Sequence, residues 1–184
     1  MGRNNSKNKG SSFERKTAKD LSLWSSYNKD DDVFYRSQSS GARFTSRQKV
    51  NLTTENQHGD ICASNDKGIW FTKIFFIECK HYTELNLWSL ITKNKSGNIV
   101  KWWDKAVKES KSISKIPILI IKQNNKPTLL MTDNNLRHYL TYFTRNYQMS
   151  IKFDNLPEAY IYLFEDFLKI DPESLNELLW ENNK

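Results

Sequence analysis

A glutamate and a lysine stand at the end of a segment that otherwise consists of apolar and aromatic residues. Residues 70–79 read Trp-Phe-Thr-Lys-Ile-Phe-Phe-Ile-Glu-Cys, and Lys80 follows. This aromatic and β-branched content predicts a strand. Burying a carboxylate and an ammonium is costly unless they pair or bind something. Because strand side chains alternate between faces, Glu78 and Lys80 should share one side with Trp70, Thr72, Ile74 and Phe76.

A second acidic residue, Asp60, precedes Glu78 with 17 residues between them. Residues 60–63, Asp-Ile-Cys-Ala, read as a short strand that begins on Asp60. Residues 64–69 have turn chemistry, so the two strands are expected to pair antiparallel and to place Asp60 beside Glu78. Two carboxylates next to a lysine suit a magnesium ion, which completes its coordination with water and phosphate oxygens. The simpler alternative is a structural ion pair at a strand end.

With these residues the chain resembles the PD-(D/E)xK nuclease superfamily, which has the restriction-endonuclease-like fold. The resemblance rests on Asp60 followed by Glu78-Cys79-Lys80, and on two segments upstream. These are Gly-Ser-Ser-Phe-Glu-Arg at residues 10–15 and Tyr-Arg-Ser-Gln-Ser-Ser-Gly-Ala-Arg at residues 35–43. Together they are similar to Holliday-junction-resolvase-type members from archaea and phages. The match spans roughly residues 10–125, and Gly59 stands where the family name has proline.

The resemblance implies an α/β fold with an α-β-β-β-α-β core, a mixed sheet flanked by helices, and a C-terminal α/β extension. It also implies four catalytic residues: Glu14, Asp60, Glu78 and Lys80. Asp60, Glu78 and the backbone carbonyl of Cys79 would bind Mg²⁺, with Mn²⁺ able to substitute, and Glu14 would serve a second metal. Ser11-x-x-Glu14 is also a capping-box spacing, so Glu14 has a structural alternative. Lys80 would position the attacking water.

The other elements follow from hydrophobic periodicity. A helix should run from Ser11 or Ser12 to about Ser26, with a buried stripe of Phe13, Thr17, Leu21 and Trp24. Strands are predicted at 32–37, 116–123, 127–132 and 160–164, and helices at 99–113, 133–143 and 171–180. Residues 1–10 should form a flexible basic arm before a single nuclease domain at 11–184. Its core would cover 11–125 and its extension 126–184.

Several polar side chains are candidates for DNA contact. Serine hydroxyls and arginine forks in the 39–47 loop suit phosphate binding, and strand and helix ends supply further candidates. The full set is Arg36, Ser39, Ser40, Arg43, Arg47, Lys105, Lys122 and Gln123. Adjacent Trp102 and Trp103 either stack on unpaired bases or anchor their helix to the sheet.

Charge supports a nucleic-acid partner. Residues 1–149 contain 25 Lys and Arg against 13 Asp and Glu, whereas residues 150–184 contain 3 against 8. A basic body is the electrostatic footprint of phosphate binding. Cys62 and Cys79 are expected to be reduced core residues, and no apolar run approaches a membrane span. A soluble, intracellular, cytoplasmic protein is therefore expected, and the resemblance allows a phage origin.

The function implied is a magnesium-dependent endonuclease for branched DNA, a Holliday junction resolvase. Two symmetric cuts across a junction would require a homodimer. A restriction-type or nicking nuclease of the same fold is the nearest alternative. A non-catalytic basic DNA-binding protein is the other.

Overall fold

The computed structural model describes residues 3–37, 58–92, 97–143 and 147–181, with side chains described from residue 9 onward. The helices in these ranges are α1 (Arg3–Ser25), α2 (Asp66–Ile74), α3 (Trp88–Ile91), α4 (Asn98–Ser112), α5 (Asn134–Leu140), α6 (Phe164–Phe167) and α7 (Pro172–Glu181). The strands are β1 (Phe34–Arg36), β2 (Ile61–Ala63), β3 (Phe75–Tyr82), β4 (Ile116–Gln123), β5 (Leu129–Thr132), β6 (Met149–Ile151) and β7 (Ala159–Leu163). None of these helices combines the length and the apolar character needed to span a bilayer.

Five strands form one mixed sheet in the order β3-β4-β5-β7-β6. β3 and β4 are parallel, and every other neighbouring pair is antiparallel. Helix α4 makes the connection between β3 and β4, as parallel strands require. The order α1-β1-β2-β3-α4-β4 confirms the predicted α-β-β-β-α-β arrangement, with α2 and α3 as additions. The strands after residue 126 extend this same sheet.

Helices cover both faces of the sheet, and each face has its own hydrophobic core. One core contains the predicted α1 stripe of Phe13, Leu21 and Trp24, together with Ile77 and Cys79 of β3. Thr17, the fourth member of that stripe, is also buried. The other core places Val100, Trp103 and Val107 of α4 against Leu119 and Ile121 of β4. Strand β3 therefore lies between α1 and α4.

The C-terminal segment is tied directly to the first helix. The indole N–H of Trp24 donates to the carbonyl of Ile170 at 2.7 Å, and the Tyr27 hydroxyl donates to Asp171 at 2.8 Å. Asp171 also caps α7 by accepting from the Ser174 N–H at 2.8 Å, as the Asp-Pro sequence predicts.

Residues 66–74 are helical, so the strand predicted over 70–79 is wrong in its first half. The Ser-Asn-Asp residues assigned to a turn instead begin α2, because the side chain of Asn65 accepts from the Lys67 N–H at 3.1 Å. Turns and helix N-termini favour the same short polar side chains. Phe71 then packs edge-on against Trp24, with ring centroids 5.4 Å apart. Trp70, Thr72 and Ile74 consequently do not share a strand face with Glu78.

The predicted antiparallel pairing of 60–63 with 70–80 is also wrong. β2 pairs antiparallel with β1 in a separate two-stranded sheet. The residues just before β2 meet β3, through a parallel bridge between Gly59 and Ile77. The first helix differs as well: α1 begins at Arg3 rather than at Ser11 or Ser12, so it includes most of the predicted arm.

Candidate active site

Asp60 is fixed against β3 by the backbone on both sides of it. Its N–H donates to the carbonyl of Ile77 at 2.8 Å. Its carboxylate oxygen Oδ2 accepts from the N–H of Cys79, also at 2.8 Å. Gly59 permits this approach, because it has a φ of +86° and an added Cβ would lie 2.5 Å from the Ile77 carbonyl oxygen. The structure thus brings Asp60 to Glu78 by a different route from the predicted hairpin.

Glu78 is 2% exposed and is bound by two ammonium groups. Lys80 Nζ lies 2.5 Å from Glu78 Oε1, and Lys105 Nζ lies 3.0 Å from the same oxygen. Lys80 lies two residues after Glu78 on β3, and side chains two residues apart project from the same face of a strand. Lys105 reaches it from α4 and also pairs with Glu109 at 3.7 Å. The buried carboxylate is therefore fully compensated by positive charge.

Three oxygens converge on the ammonium group of Lys80. They are Glu78 Oε1 at 2.5 Å, the main-chain carbonyl oxygen of Cys79 at 3.2 Å and Asp60 Oδ2 at 4.0 Å. These are the three ligand atoms that the sequence resemblance implies for a metal. Their common orientation towards one positive centre is what a bound cation requires.

The donor set fits a hard cation with few protein ligands. In the part of the chain that the structure describes, no group of three or more His, Cys, Asp and Glu side chains is arranged to hold a metal ion. Magnesium is commonly bound through one or two carboxylates and completes its shell with water and substrate phosphate. Two carboxylates and one carbonyl match that pattern, whereas structural zinc would need four nitrogen or sulfur ligands.

The two carboxylates differ in their affinity for protons. Burial, together with the negative charge of Glu78, raises the pKa of Asp60 to about 6. Burial also acts to raise the pKa of Glu78, but the ammonium groups of Lys80 and Lys105 outweigh it, so that this pKa is lowered. For Lys80, burial acts to lower the pKa, but the charges of Glu78 and Asp60 prevail and raise it. Glu78 and Lys80 are therefore ionised at neutral pH.

Glu14 lies at the edge of this cluster and pairs with Arg36 of β1. Its negative charge contributes to the raised pKa of Asp60, which places the Glu14 carboxylate within electrostatic range of the site. The neighbouring Ser37 N–H donates to the Asp60 carbonyl at 2.9 Å. The capping-box alternative for Glu14 is wrong, because Ser11 lies inside α1 rather than at its start.

The structure describes some of the residues predicted to contact DNA, and the others lie outside the described residues. Ser39, Ser40, Arg43 and Arg47 lie outside the described residues. Lys122 and Gln123 lie at the end of β4, in register with His81 and Tyr82 of β3, so they are near the end of β3 that carries Lys80. Lys122 donates to the carbonyl of Lys126. Arg36 pairs with Glu14, and Lys105 pairs with Glu78. Contact of either residue with DNA remains a prediction.

Sequence reasoning missed the pairing of Lys105 with Glu78. Hydrophobic periodicity predicts that Ile99, Trp102 or Trp103, Ala106 and Ser110 face inward on α4, and the structure buries Ile99, Trp103, Ala106 and Ser110. The same periodicity places Lys105 on the outer surface, and its side chain is indeed 45% exposed. No local pattern could show that the rim of this helix passes over Glu78, because that contact joins residues 27 positions apart.

Comparison with known proteins gives one family. The model of the family described as "Phage putative PDDEXK endonuclease" matches residues 5–177. The match includes Glu14, Asp60, Glu78 and Lys80, and it continues through the C-terminal extension beyond the predicted limit near residue 125. Searches of curated proteins and of solved structures found no match.

Proposed function

The chain belongs to the phage PD-(D/E)xK endonuclease family, and on this premise we propose that it is a Mg²⁺-dependent endodeoxyribonuclease for branched DNA, acting as a Holliday junction resolvase. The observation that supports this most strongly is the convergence of Asp60, Glu78 and the Cys79 carbonyl on one cationic position at the end of β3. A basic body and a rim of lysines beside this position suit a phosphate substrate.

The proposed roles follow from the geometry of the side chains. Asp60 Oδ2, Glu78 Oε1 and the Cys79 carbonyl oxygen would hold the ion, which lowers the pKa of bound water and stabilises the leaving oxygen. Lys80 Nζ lies among these oxygens in the structure, so a bound ion would displace it from them, and Lys80 would then donate a hydrogen bond to the attacking water and orient it. Lys105 is half exposed at 45%, so its ammonium can turn from Glu78 towards a phosphate oxygen.

Junction resolution adds a requirement for symmetry. Two matched cuts on opposite sides of a four-way junction need two copies of the site related by a two-fold axis. We therefore include a homodimer in the proposal.

Cleavage of a synthetic four-way junction, compared with a matched linear duplex, tests the proposal. We expect cuts in the junction with Mg²⁺ or Mn²⁺ and none with EDTA. Asp60→Asn and Glu78→Gln should each abolish cleavage while junction binding stays unchanged or becomes tighter, because each removes a charge that repels phosphate. Asp104→Asn is a matched control, since Asp104 pairs only with exposed Lys108 at 2.6 Å among the ion pairs described.

The alternatives give different results in the same assay. Equal cleavage of junction and duplex would indicate a restriction-type or nicking nuclease. Absence of cleavage of any DNA by the wild type, with binding intact, would indicate a non-catalytic DNA-binding protein. Lys80→Ala should be inactive yet folded. If it loses its fold together with its activity, Lys80 is part of a structural ion pair instead.

A further inference from the structure

β3 and α4 meet in a charged contact and in an aromatic contact. In the charged contact, Lys105 of α4 lies 3.0 Å from Glu78 of β3. In the aromatic contact, the rings of Tyr82 of β3 and Trp102 of α4 pack with centroids 4.6 Å apart. Along β3 the contact residue advances from 78 to 82 while along α4 it goes back from 105 to 102, so the two contacts follow one another along the boundary between strand and helix.

The aromatic pair lies on the same strand face as the proposed catalytic residues. Glu78, Lys80 and Tyr82 occupy alternate positions of β3, and alternate side chains project to one side. At a rise of about 3.3 Å per residue, Tyr82 lies about 7 Å from Lys80 along the strand. A nucleic-acid strand whose phosphate contacts Lys80 would therefore place its adjacent nucleotide over the Tyr82–Trp102 pair.

The structure distinguishes the roles of the two adjacent tryptophans. Trp103 is 0% exposed, and its indole N–H donates to the carbonyl of Pro157 at 3.3 Å, so it anchors α4 to the sheet. Trp102 is only partly buried at the edge of the same core. Tyr82 is 43% exposed, which leaves part of its ring accessible to solvent. The hydrophobic core therefore supports the pair on one side, and solvent reaches it on the other.

The polar surroundings of the pair also suit a nucleotide. Gln123 of β4 is in register with Tyr82 of the parallel strand β3, so its side chain projects to the same face of the sheet. An amide offers both a donor and an acceptor to the edge of a base. Lys105 is three residues from Trp102 on α4, which places its ammonium on the neighbouring part of the helix surface. Aromatic, amide and cationic groups therefore match the base and phosphate of one nucleotide.

We infer that the Tyr82–Trp102 pair is a stacking site for an unpaired base next to the phosphate that is cut. This inference rests on the proposed nuclease function and adds a requirement to its substrate class: the nucleotide beside the cut must be able to leave its base pair, as it can at a branch point or a gap. Bases inside a matched duplex are already stacked on their neighbours and cannot reach an aromatic surface without being extruded. Stacking on an aromatic side chain is available to any base, so the site selects DNA structure rather than sequence.

Binding to DNA with and without unpaired nucleotides tests the inference. The probes are a duplex with a short single-stranded gap and a matched duplex of the same length, both measured with EDTA present. Tyr82→Ala and Trp102→Leu should weaken binding to the gapped duplex about tenfold and leave matched-duplex binding unchanged. Leucine keeps an apolar contact with the core at position 102. Tyr82→Phe retains the ring and should restore binding.

A fluorescent base gives a direct readout of stacking. With 2-aminopurine in the gap, wild-type protein should quench its fluorescence, and Tyr82→Ala should lose most of the quenching. Trp180→Ala is the control, because Trp180 is 57% exposed but lines a cavity with Ile74 and Ile116, at the opposite end of β3 and β4. That variant should quench as the wild type does.

The outcomes separate this inference from the proposed function. Equal losses on gapped and matched DNA, or no loss on either, would overturn the stacking site while leaving cleavage by Asp60 and Glu78 untouched. If the wild type cuts no DNA but Tyr82→Ala still loses selective binding to the gapped duplex, the stacking site stands and the nuclease proposal fails.

Discussion

Asp60 and Glu78 face the same ammonium group but differ in pKa, since that of Asp60 is raised to about 6 and that of Glu78 is lowered. Glu78 is compensated by Lys80 and Lys105, whereas Asp60 is buried beside a negative neighbour. Ionised Asp60 is therefore unfavourable in the protein without a metal. A cation bound between the two carboxylates would remove this penalty, which is why we regard the arrangement as prepared for binding rather than for structural pairing.

Stability without metal should depend on the pH through Asp60. Its pKa of about 6 in the folded protein exceeds the value of about 3.9 in an unfolded chain. The folded state consequently binds more protons between these values, so the wild type should lose stability as the pH rises from about 4 to about 6. Asp60→Asn removes this loss and should be more stable than the wild type at pH 7, by roughly 2 kcal/mol.

Urea unfolding in EDTA at pH 4 and pH 7, for both proteins, measures the effect. The advantage of Asp60→Asn should be small at pH 4 and appear at pH 7. An advantage that is the same at both pH values would mean that folding does not raise the pKa of Asp60.

Glu14 provides a second prediction for a single residue. With capping excluded, its described partner is Arg36, and Glu14→Gln can still accept a hydrogen bond from the guanidinium. We expect the free energy of unfolding to fall by about 1 kcal/mol or less, while junction cleavage collapses if Glu14 serves the metals. Single-turnover cleavage measured beside urea unfolding tests both parts. A variant that is stable and fully active would restrict Glu14 to pairing with Arg36.

At the scale of elements, one short backbone contact positions the first carboxylate. β2 belongs to a separate two-stranded sheet and meets β3 at Gly59 and Asp60. Glycine is required at residue 59 because a side chain would collide with the β3 backbone. The proline of the family name is replaced here by a residue whose positive φ brings the following carboxylate to the strand.

Gly59→Ala should separate Asp60 from β3. The left-handed backbone and the contact with the Ile77 carbonyl together should cost about 3 kcal/mol of stability and eliminate cleavage. Gly10→Ala is the matched control in α1, where the nearest atom to an added Cβ is Glu14 Oε1 at 3.9 Å. That change should increase stability by about 0.5–1 kcal/mol. Urea unfolding of both variants measures the difference, and a neutral Gly59→Ala would contradict the proposed constraint.

At the scale of the whole molecule, charge is divided along the chain. The first 149 residues have a balance of +12 and the last 35 have a balance of −5. In the acidic segment, β7 continues the sheet beyond β5, and Leu179 and Trp180 of α7 line a cavity with Ile74 and Ile116 near the start of β3 and β4, at the opposite end from Lys80. We expect DNA to bind the basic part, on the side of the molecule that contains β3 and α4.

Deletion of residues 1–9 should weaken junction binding and make it less sensitive to salt. The deletion removes Arg3, Lys7 and Lys9, while the buried stripe that begins at Phe13 stays in place. Loss of three phosphate contacts should reduce the slope of log K against log salt by about 3. Lys169→Ala is the control, since Lys169 pairs with Asp166 at 2.7 Å in the acidic segment. An unchanged slope after the deletion would remove this arm from the DNA interface.

Local sequence patterns were sufficient to predict those parts of the candidate site that lie within single elements. Charged residues at the end of an apolar strand can be recognised within a window of eight or ten residues. This pattern was enough to select Asp60, Glu78 and Lys80, and the family match includes all of them. The stripes of α1 and α4 and the end of β4 were readable for the same reason, since their periodicity repeats within one element. The helix at residues 66–74 was misread because its capping residues are also turn residues and its aromatic residues are also strand residues.

Contacts between residues that are far apart in the sequence could be identified only from the tertiary structure. The pairing of Lys105 with Glu78, the approach of Gly59 to Ile77 and the stacking of Tyr82 on Trp102 all join separate elements. Each depends on how a helix crosses a strand or where one sheet touches another. Such contacts arise from the packing of whole elements, in which many small interactions select one arrangement. Neighbouring sequence positions specify the elements, but their mutual packing sets the distances that chemistry requires.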